Sequence, residues 1–129
     1  MKKDFDGWNE EKKMIHEHAH APLYHEREIR WCHFGVNVGF EQDGTGVGRA
    51  RPALILKGFS WSVFCLVIPL TTSAKQSPYH VAVGEIGGRA AFAIISQLRL
   101  VDTKRLEALV AILDKQAFER IRKAVKDML

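Results

Sequence analysis

Gly39–Thr72 reads GFEQDGTGVGRARPALILKGFSWSVFCLVIPLTT, and the rest of the chain is organised around it. It opens with a polar, glycine-rich segment that ends at Arg51-Pro52. An apolar run, Ala53–Leu56, follows. After a short interruption a second apolar run, Val63–Ile68, closes on Pro69-Leu70-Thr71-Thr72. Near-continuous apolar runs of this length predict two central strands, 53–59 and 63–70, covered on both faces. A tight hairpin through Lys57–Ser62 makes them neighbours, which brings Arg51, at the start of one, close to Thr71, at the end of the other. An arginine and a hydroxyl beside a flexible polar loop form a candidate site for a phosphate.

The totals set the frame. A chain of 129 residues, 47% hydrophobic, has the size of one domain with a real core and lies far from the disordered class. No apolar run approaches the roughly 18 residues of a membrane span. The first residues, MKKDFDGWNEEKK, lack the apolar stretch of a secretory signal, so the expected location is cytoplasmic, with no membrane partner. Cys32 and Cys65 both sit in apolar patterns and are expected as buried thiols. Charge is uneven: residues 1–40 hold 6 Lys+Arg against 7 Asp+Glu, and residues 41–129 hold 13 against 8. The basic excess lies in the half that carries the candidate site, as a polyanionic partner requires.

Outward from the central pair, the elements are short. Phe5–His16 predicts an amphipathic helix with Asp4 or Asp6 as N-cap and Phe5, Trp8 and Ile15 on one face. His16, His18 and His20 with Glu17 make a possible metal cluster, but no further ligand set accompanies them, and a solvated linker is the preferred reading. Glu28–Phe34 alternates as a strand, with Ile29, Trp31 and His33 facing one way and Arg30, Cys32 and Phe34 the other. The loop at 35–48 lacks the lysine and glycine spacing of a nucleotide phosphate loop. Tyr79–Val83 predicts another strand and Gly87-Gly88 a turn. Ala91–Ile95 with Leu98–Val101 predicts a further strand or bent pair. Asp102 caps a single turn, Leu109–Leu113 returns as a strand, and Asp114 caps a closing helix with Phe118, Ile121, Val125 and Met128 on its buried face. The expected class is mainly β (α+β): a small SH3-like barrel or a curved antiparallel sheet, with a C-terminal helix and an extra N-terminal helix.

The ordered motifs Glu28-Ile29-Arg30-Trp31, Gly39-Phe40-Glu41-Gln42, Arg51-Pro52-Ala53-Leu54-Ile55-Leu56, Val67-Ile68-Pro69-Leu70-Thr71-Thr72 and Ser96-Gln97-Leu98-Arg99-Leu100-Val101-Asp102 resemble the MazF/PemK toxins of bacterial toxin–antitoxin pairs. The resemblance covers residues 28–129 as a toxin domain and leaves 1–27 as a helical extension. It implies a metal-independent, sequence-specific endoribonuclease acting on single-stranded RNA, with no cofactor. It also implies a homodimer inhibited by a cognate antitoxin. By position, Arg51 matches the family's catalytic arginine and Thr71 its catalytic hydroxyl. Glu41 and Gln42 match the loop that shapes the RNA groove, and Gln97 and Arg99 the segment beneath it. Two positions depart from the pattern: Phe40 stands where some members carry a histidine, and Ser96 where many carry an acidic residue.

Metal-free cleavage of RNA uses the substrate's own 2′-hydroxyl as nucleophile and leaves a 2′,3′-cyclic phosphate and a 5′-hydroxyl. Arg51 suits the charge that develops on the phosphate oxygens, and Thr71 can donate to the same group. The general base stays open among Glu41, His33 and His80. Phe40 or Trp61 are candidates for stacking on unpaired bases, and Thr72 extends the site beside Thr71. The alternative is a non-catalytic barrel that binds RNA or a protein partner. In that case Arg51 is a structural ion pair with Glu41 or Asp43, and Thr71 caps a turn.

Overall fold

A computed structural model describes residues 2–45, 47–59 and 63–129, with the side chain of Val47 excepted. Trp61 and the turn at 60–62 lie outside the described residues. The elements run α1 (Phe5–His18), β1 (Glu28–His33), β2 (Ala50–Phe59), β3 (Phe64–Thr71), β4 (His80–Ile86), β5 (Arg89–Ile94), β6 (Arg99–Asp102), β7 (Leu106–Ile112) and α2 (Lys115–Met128).

The apolar run of β3 is the pivot of the sheet. One edge pairs antiparallel with β2, through Ala53↔Pro69, Leu54↔Ile68 and Ile55↔Val67. The other edge is shared: Phe64–Val67 pairs with β6, and Leu70–Thr71 pairs with β5. The full order is β4-β5-β3-β2-β1-β7, with β6 beside β3. Among the described residues the two ends, β4 and β7, do not pair. The sheet is therefore curved and open, the second of the two shapes the sequence allowed.

Both faces of the central strands are covered, as their composition requires. Leu54, Ile68 and Leu70 point into a core closed by Phe118, Ile121 and Val125 of α2. Ala53, Ile55, Cys65 and Val67 point the other way, toward Cys32, Phe34, Val101 and Leu106. Burial pushes the Cys32 and Cys65 thiols up to about 12, so neither is a nucleophile at neutral pH. The connections follow local chemistry. Gly87 and Gly88, with φ of 62° and 81°, make the two-residue β4–β5 turn, in which both central residues need positive φ. Asp102 accepts from the Lys104 amide at 2.9 Å, and Asp114 from the Ala117 amide at 2.9 Å, capping a short turn and α2 respectively.

The N-terminal helix forms where expected, capped by Asp4 through the Gly7 amide at 2.9 Å. Its contact with the sheet differs from the expected apolar stripe. Trp8 alone is buried, while Phe5 is 50% exposed and Ile15 half-buried. The Trp8 ring packs against Gly35, where a Cβ would come within 1.9 Å of it. The remaining ties are polar: Arg49 pairs with Asp4 at 2.7 Å and with Glu11, and Lys104 Nζ donates to the His16 carbonyl at 3.0 Å. Among the described residues no three His, Cys, Asp or Glu side chains converge as metal ligands, and no helix is long and apolar enough to cross a membrane.

Candidate functional site

Continuing the β2–β3 register two residues past Ala53↔Pro69 sets Arg51 opposite Thr71. The two strand ends bring both residues to one cleft of about 290 Å³, together with Trp31, Thr45, Thr72 and Arg89. Arg51 is held by main chain alone. Its Nε donates to the Asp43 carbonyl at 2.8 Å and its Nη1 to the Leu70 carbonyl at 3.1 Å. Among the described residues, no carboxylate lies within ion-pair distance of it, and Nη2 has no hydrogen-bond partner. The Asp43 carboxylate is engaged elsewhere, with the Asn37 amide at 2.7 Å and Lys3 at 3.0 Å. The structural ion pair weighed for Arg51 is thus not formed. Burial lowers the Arg51 pKa from its ordinary value and the charge of Asp43 offsets part of this, but a guanidinium stays protonated throughout the physiological range.

Thr71 Oγ1 accepts from the Ser73 amide at 3.1 Å, so the hydroxyl does shape the following turn. Accepting there leaves its own proton free to donate into the cleft. The charged residues lining the cleft are Arg51 and Arg89, both cationic. Trp31, 40% exposed, supplies an aromatic face. A rigidly held guanidinium with a free donor, a hydroxyl, a second arginine and an indole suit a phosphodiester with an unpaired base.

Four other candidates, Glu41, Gln42, Gln97 and Arg99, line a second cavity of about 420 Å³, which among the described residues shares no lining residue with the first. It is lined by Glu41, Gln42, Ser96, Gln97 and Arg99 among others. Gln42 N donates to Gln97 Oε1 at 3.4 Å, and the Arg99 guanidinium lies 6.0 Å from the Phe34 ring centre. Glu41 accepts from the Val38 amide at 2.9 Å, closing a turn in the loop. The carbonyl of Asp43 joins the two cavities, since it accepts from Arg51 and also from Gln42 Nε2 at 3.2 Å. Phe40 is 95% exposed at the loop tip and lines neither cavity.

Three possible bases therefore have three different settings. Glu41 is in the second cavity. His33 has both ring nitrogens engaged, Nδ1 with the Gly48 carbonyl at 2.7 Å and Nε2 with Glu107 at 3.0 Å. His80 has a buried Nδ1 without a hydrogen-bond partner among the described residues, and lines neither cavity. Sequence reasoning gave no role to Trp31 and Arg89. Trp31 was within reach, because Pro52 pairs with it across β1 and β2 and so carries it to the Arg51 end of the sheet.

With this geometry in hand, the chain can be compared with known proteins. Residues 25–129 match the model for the PemK-like, MazF-like toxin of type II toxin-antitoxin systems. No curated protein matches the chain in sequence. Among solved structures, MazF from Deinococcus radiodurans superposes with a TM-score of 0.65 at 21% identity, covering 84% of this chain and 96% of that one. The MazE–MazF complex of the same organism gives 0.62 at 19%, covering 84% and 95%. The Mycobacterium tuberculosis toxin MazF-mt6 gives 0.60 at 16%, covering 78% and 94%. Likeness at these identities speaks for the fold.

Proposed function

The chain belongs to the PemK-like, MazF-like toxins of type II toxin-antitoxin systems, and from that premise we propose that it is a metal-independent, sequence-specific endoribonuclease that cuts single-stranded RNA in the cytoplasm. The observation that carries the reading is the state of Arg51. Two main-chain carbonyls hold its Nε and Nη1, its Nη2 has no hydrogen-bond partner and no carboxylate pairs with it among the described residues, and it lines an open cationic cleft with Thr71.

In this mechanism RNA crosses both cavities, passing over Asp43. The 2′-hydroxyl attacks the adjacent phosphorus and gives up its proton, the P–O5′ bond breaks, the leaving 5′-oxygen takes a proton from water, and the products carry a 2′,3′-cyclic phosphate and a 5′-hydroxyl. Arg51 Nη2 donates to a non-bridging oxygen as negative charge builds there, and Thr71 donates to the same phosphate. Glu41 is the one carboxylate among the described residues lining the two cavities, and it takes the part of proton acceptor through a bridging water, since it lines the second cavity and not the one with Arg51 and Thr71. Trp31 stacks on an unpaired base, and Gln42, Thr72, Gln97 and Arg99 hold the strand. Phe40, exposed at the loop tip, stacks on a base beyond the second cavity.

The same cationic cleft is a fitting seat for an acidic segment of a cognate antitoxin, which inhibits by occupying it. The active form is a homodimer, as the family resemblance implies. The test is to incubate the purified protein with a long mixed-sequence RNA in excess chelator and map the fragment ends. Discrete cuts ending in cyclic phosphate support the reading. Intact RNA, or activity restored only by added zinc or manganese, overturns it.

A further inference from the structure

Residues 2–24 precede the region that matches the family model, yet their side chains reach the loop that carries the site. Lys3 makes the closest link. Its ammonium donates to the Asn37 carbonyl at 2.6 Å and the Gly39 carbonyl at 2.7 Å, and pairs with the Asp43 carboxylate at 3.0 Å. Its side chain is only 9% exposed. An ammonium has three donors, and these three acceptors use them all. From Asp43 the chain of contacts continues to Arg51, whose Nε rests on the Asp43 carbonyl at 2.8 Å. Farther along the same loop, Arg49 is tied back to Asp4 and Glu11 at the N-terminal end and middle of α1.

We propose that Lys3 is a positioning residue for Arg51: its ammonium clamps the 37–43 segment so that Asp43 offers Arg51 its carbonyl while its carboxylate is kept off the open edge of the guanidinium.

The reason is electrostatic as well as geometric. Asp43 is the carboxylate whose charge Arg51 feels most directly. Left without Lys3, that carboxylate keeps one donor among the described residues, the Asn37 amide. A neighbouring guanidinium with an unused Nη2 is then its strongest available partner, because arginine and carboxylate pair bidentately. Such a pair would fill the place meant for the RNA phosphate. By neutralising Asp43 from the far side, Lys3 keeps the catalytic arginine vacant. The extension thereby contributes to the site without touching substrate.

The inference rests on Arg51 as the phosphate-holding group, so the test has one arm that needs no RNA. The full chain is compared as wild type, Lys3→Met and Lys3→Met/Asp43→Asn, each checked for folding by circular dichroism. In the first arm, NMR follows hydrogen exchange at Arg51 Nε–H. Protection by the Asp43 carbonyl is expected in the wild type and is expected to fall severalfold in Lys3→Met. In the second arm, kcat and KM are measured on a single-stranded RNA. Lys3→Met is expected to lose on the order of 10- to 100-fold in kcat/KM, the scale of a misplaced catalytic group. The double variant is expected to recover most of that loss, since the competing carboxylate is gone. A merely stabilising lysine gives no recovery, because the second substitution removes another tie from the loop. If Lys3→Met does not fold, Lys3→Gln replaces it, keeping an amide donor for the two carbonyls. Unchanged Nε–H protection in a folded variant, or a double variant no better than the single, overturns the proposal. A wild type that cuts no RNA refutes the endoribonuclease reading instead, and the exchange arm still decides the role of Lys3.

Discussion

Replacing Trp8 by alanine tests how the N-terminal helix is attached. Trp8 is 4% exposed, with its ring against Gly35 and the Arg105 guanidinium 5.7 Å from its centre. A buried tryptophan removes roughly 150–250 Å² from water. At about 25 cal/mol per Å² this amounts to ~4–6 kcal/mol. Residual burial in the unfolded chain reduces that figure by roughly 10–40%. Truncation is therefore expected to cost about 3–5 kcal/mol, the range typical of large-to-small aromatic changes in cores. The loss has a ceiling. Once it exceeds the free energy that docks α1, the helix leaves the sheet and further damage stops. Of the remaining ties, those through Arg49 and Lys104 are partly exposed and worth little singly, and Lys3 holds the 37–43 loop from a position ahead of the helix. Urea unfolding followed by circular dichroism measures the total. Hydrogen exchange at the amides of 8–18 separates undocking from global destabilisation. A folded Trp8→Ala protein within 1 kcal/mol of wild type, with those amides still protected, would refute the reasoning and assign docking to the ionic ties.

Two further outcomes are expected. Glu28, with its side chain 9% exposed, receives Arg30 Nε at 2.7 Å and faces His25 at 3.3 Å. Burial acts to raise its pKa, but the hydrogen bonds from Arg30 and His25 and the Arg30 charge outweigh it and hold the carboxyl below its usual value. Because the native value is depressed, its stabilising contribution is complete above the unfolded pKa near 4.5 and is lost as pH falls through the lower native value. Glu28→Gln should thus cost about 1.5–3 kcal/mol at pH 7 in urea titrations, with the gap to wild type narrowing below about pH 4.5; a gap that is constant with pH would contradict this. Trp31→Ala should weaken binding of a non-cleavable single-stranded RNA by ~1–3 kcal/mol, the scale of one base stacked on an aromatic ring, with little change in melting temperature. Equal affinity measured by fluorescence anisotropy would remove Trp31 from the interface.

Much of the fold was legible because local chemistry and burial agree. The apolar runs around Leu54 and Ile68 belong to central strands, and Asp102, Asp114 and Gly87-Gly88 sit where caps and turns need them. The pairing of Arg51 with Thr71 followed from antiparallel geometry alone. Other features depend on tertiary structure that periodicity does not carry. Ile29 joins one core and Cys32 and Phe34 the other, as alternation along β1 requires, but alternation does not tell that Ile29 is fully buried while Trp31 is 40% exposed. The register shifts against β7 on both sides of Arg30 are likewise invisible to periodicity. The resemblance put Glu41 in the loop that shapes the RNA groove and left it one of three candidate bases; that it lines a cavity separate from that of Arg51 depends on the path of the loop, which no motif carries. The helical stripe of Phe5, Trp8 and Ile15 overstated apolar docking. Polar ties from Lys3 and Arg49 stand beside the Trp8 contact, and hydrophobic spacing is blind to them.

The most direct measurement of the central claim compares wild type with Arg51→Ala and Arg51→Lys on the same long RNA. Removing one donor aimed at developing oxyanion charge typically costs on the order of 10²–10³ in rate. Lysine keeps the charge but not the planar fork that rests on the Asp43 and Leu70 carbonyls, so it should restore little. Both variants should fold, because Arg51 lies at a cleft and outside both apolar cores. The account predicts discrete fragments from wild type and a loss of at least that order for Arg51→Ala. A folded Arg51→Ala protein that cuts at the wild-type rate would contradict it and place the chemistry elsewhere.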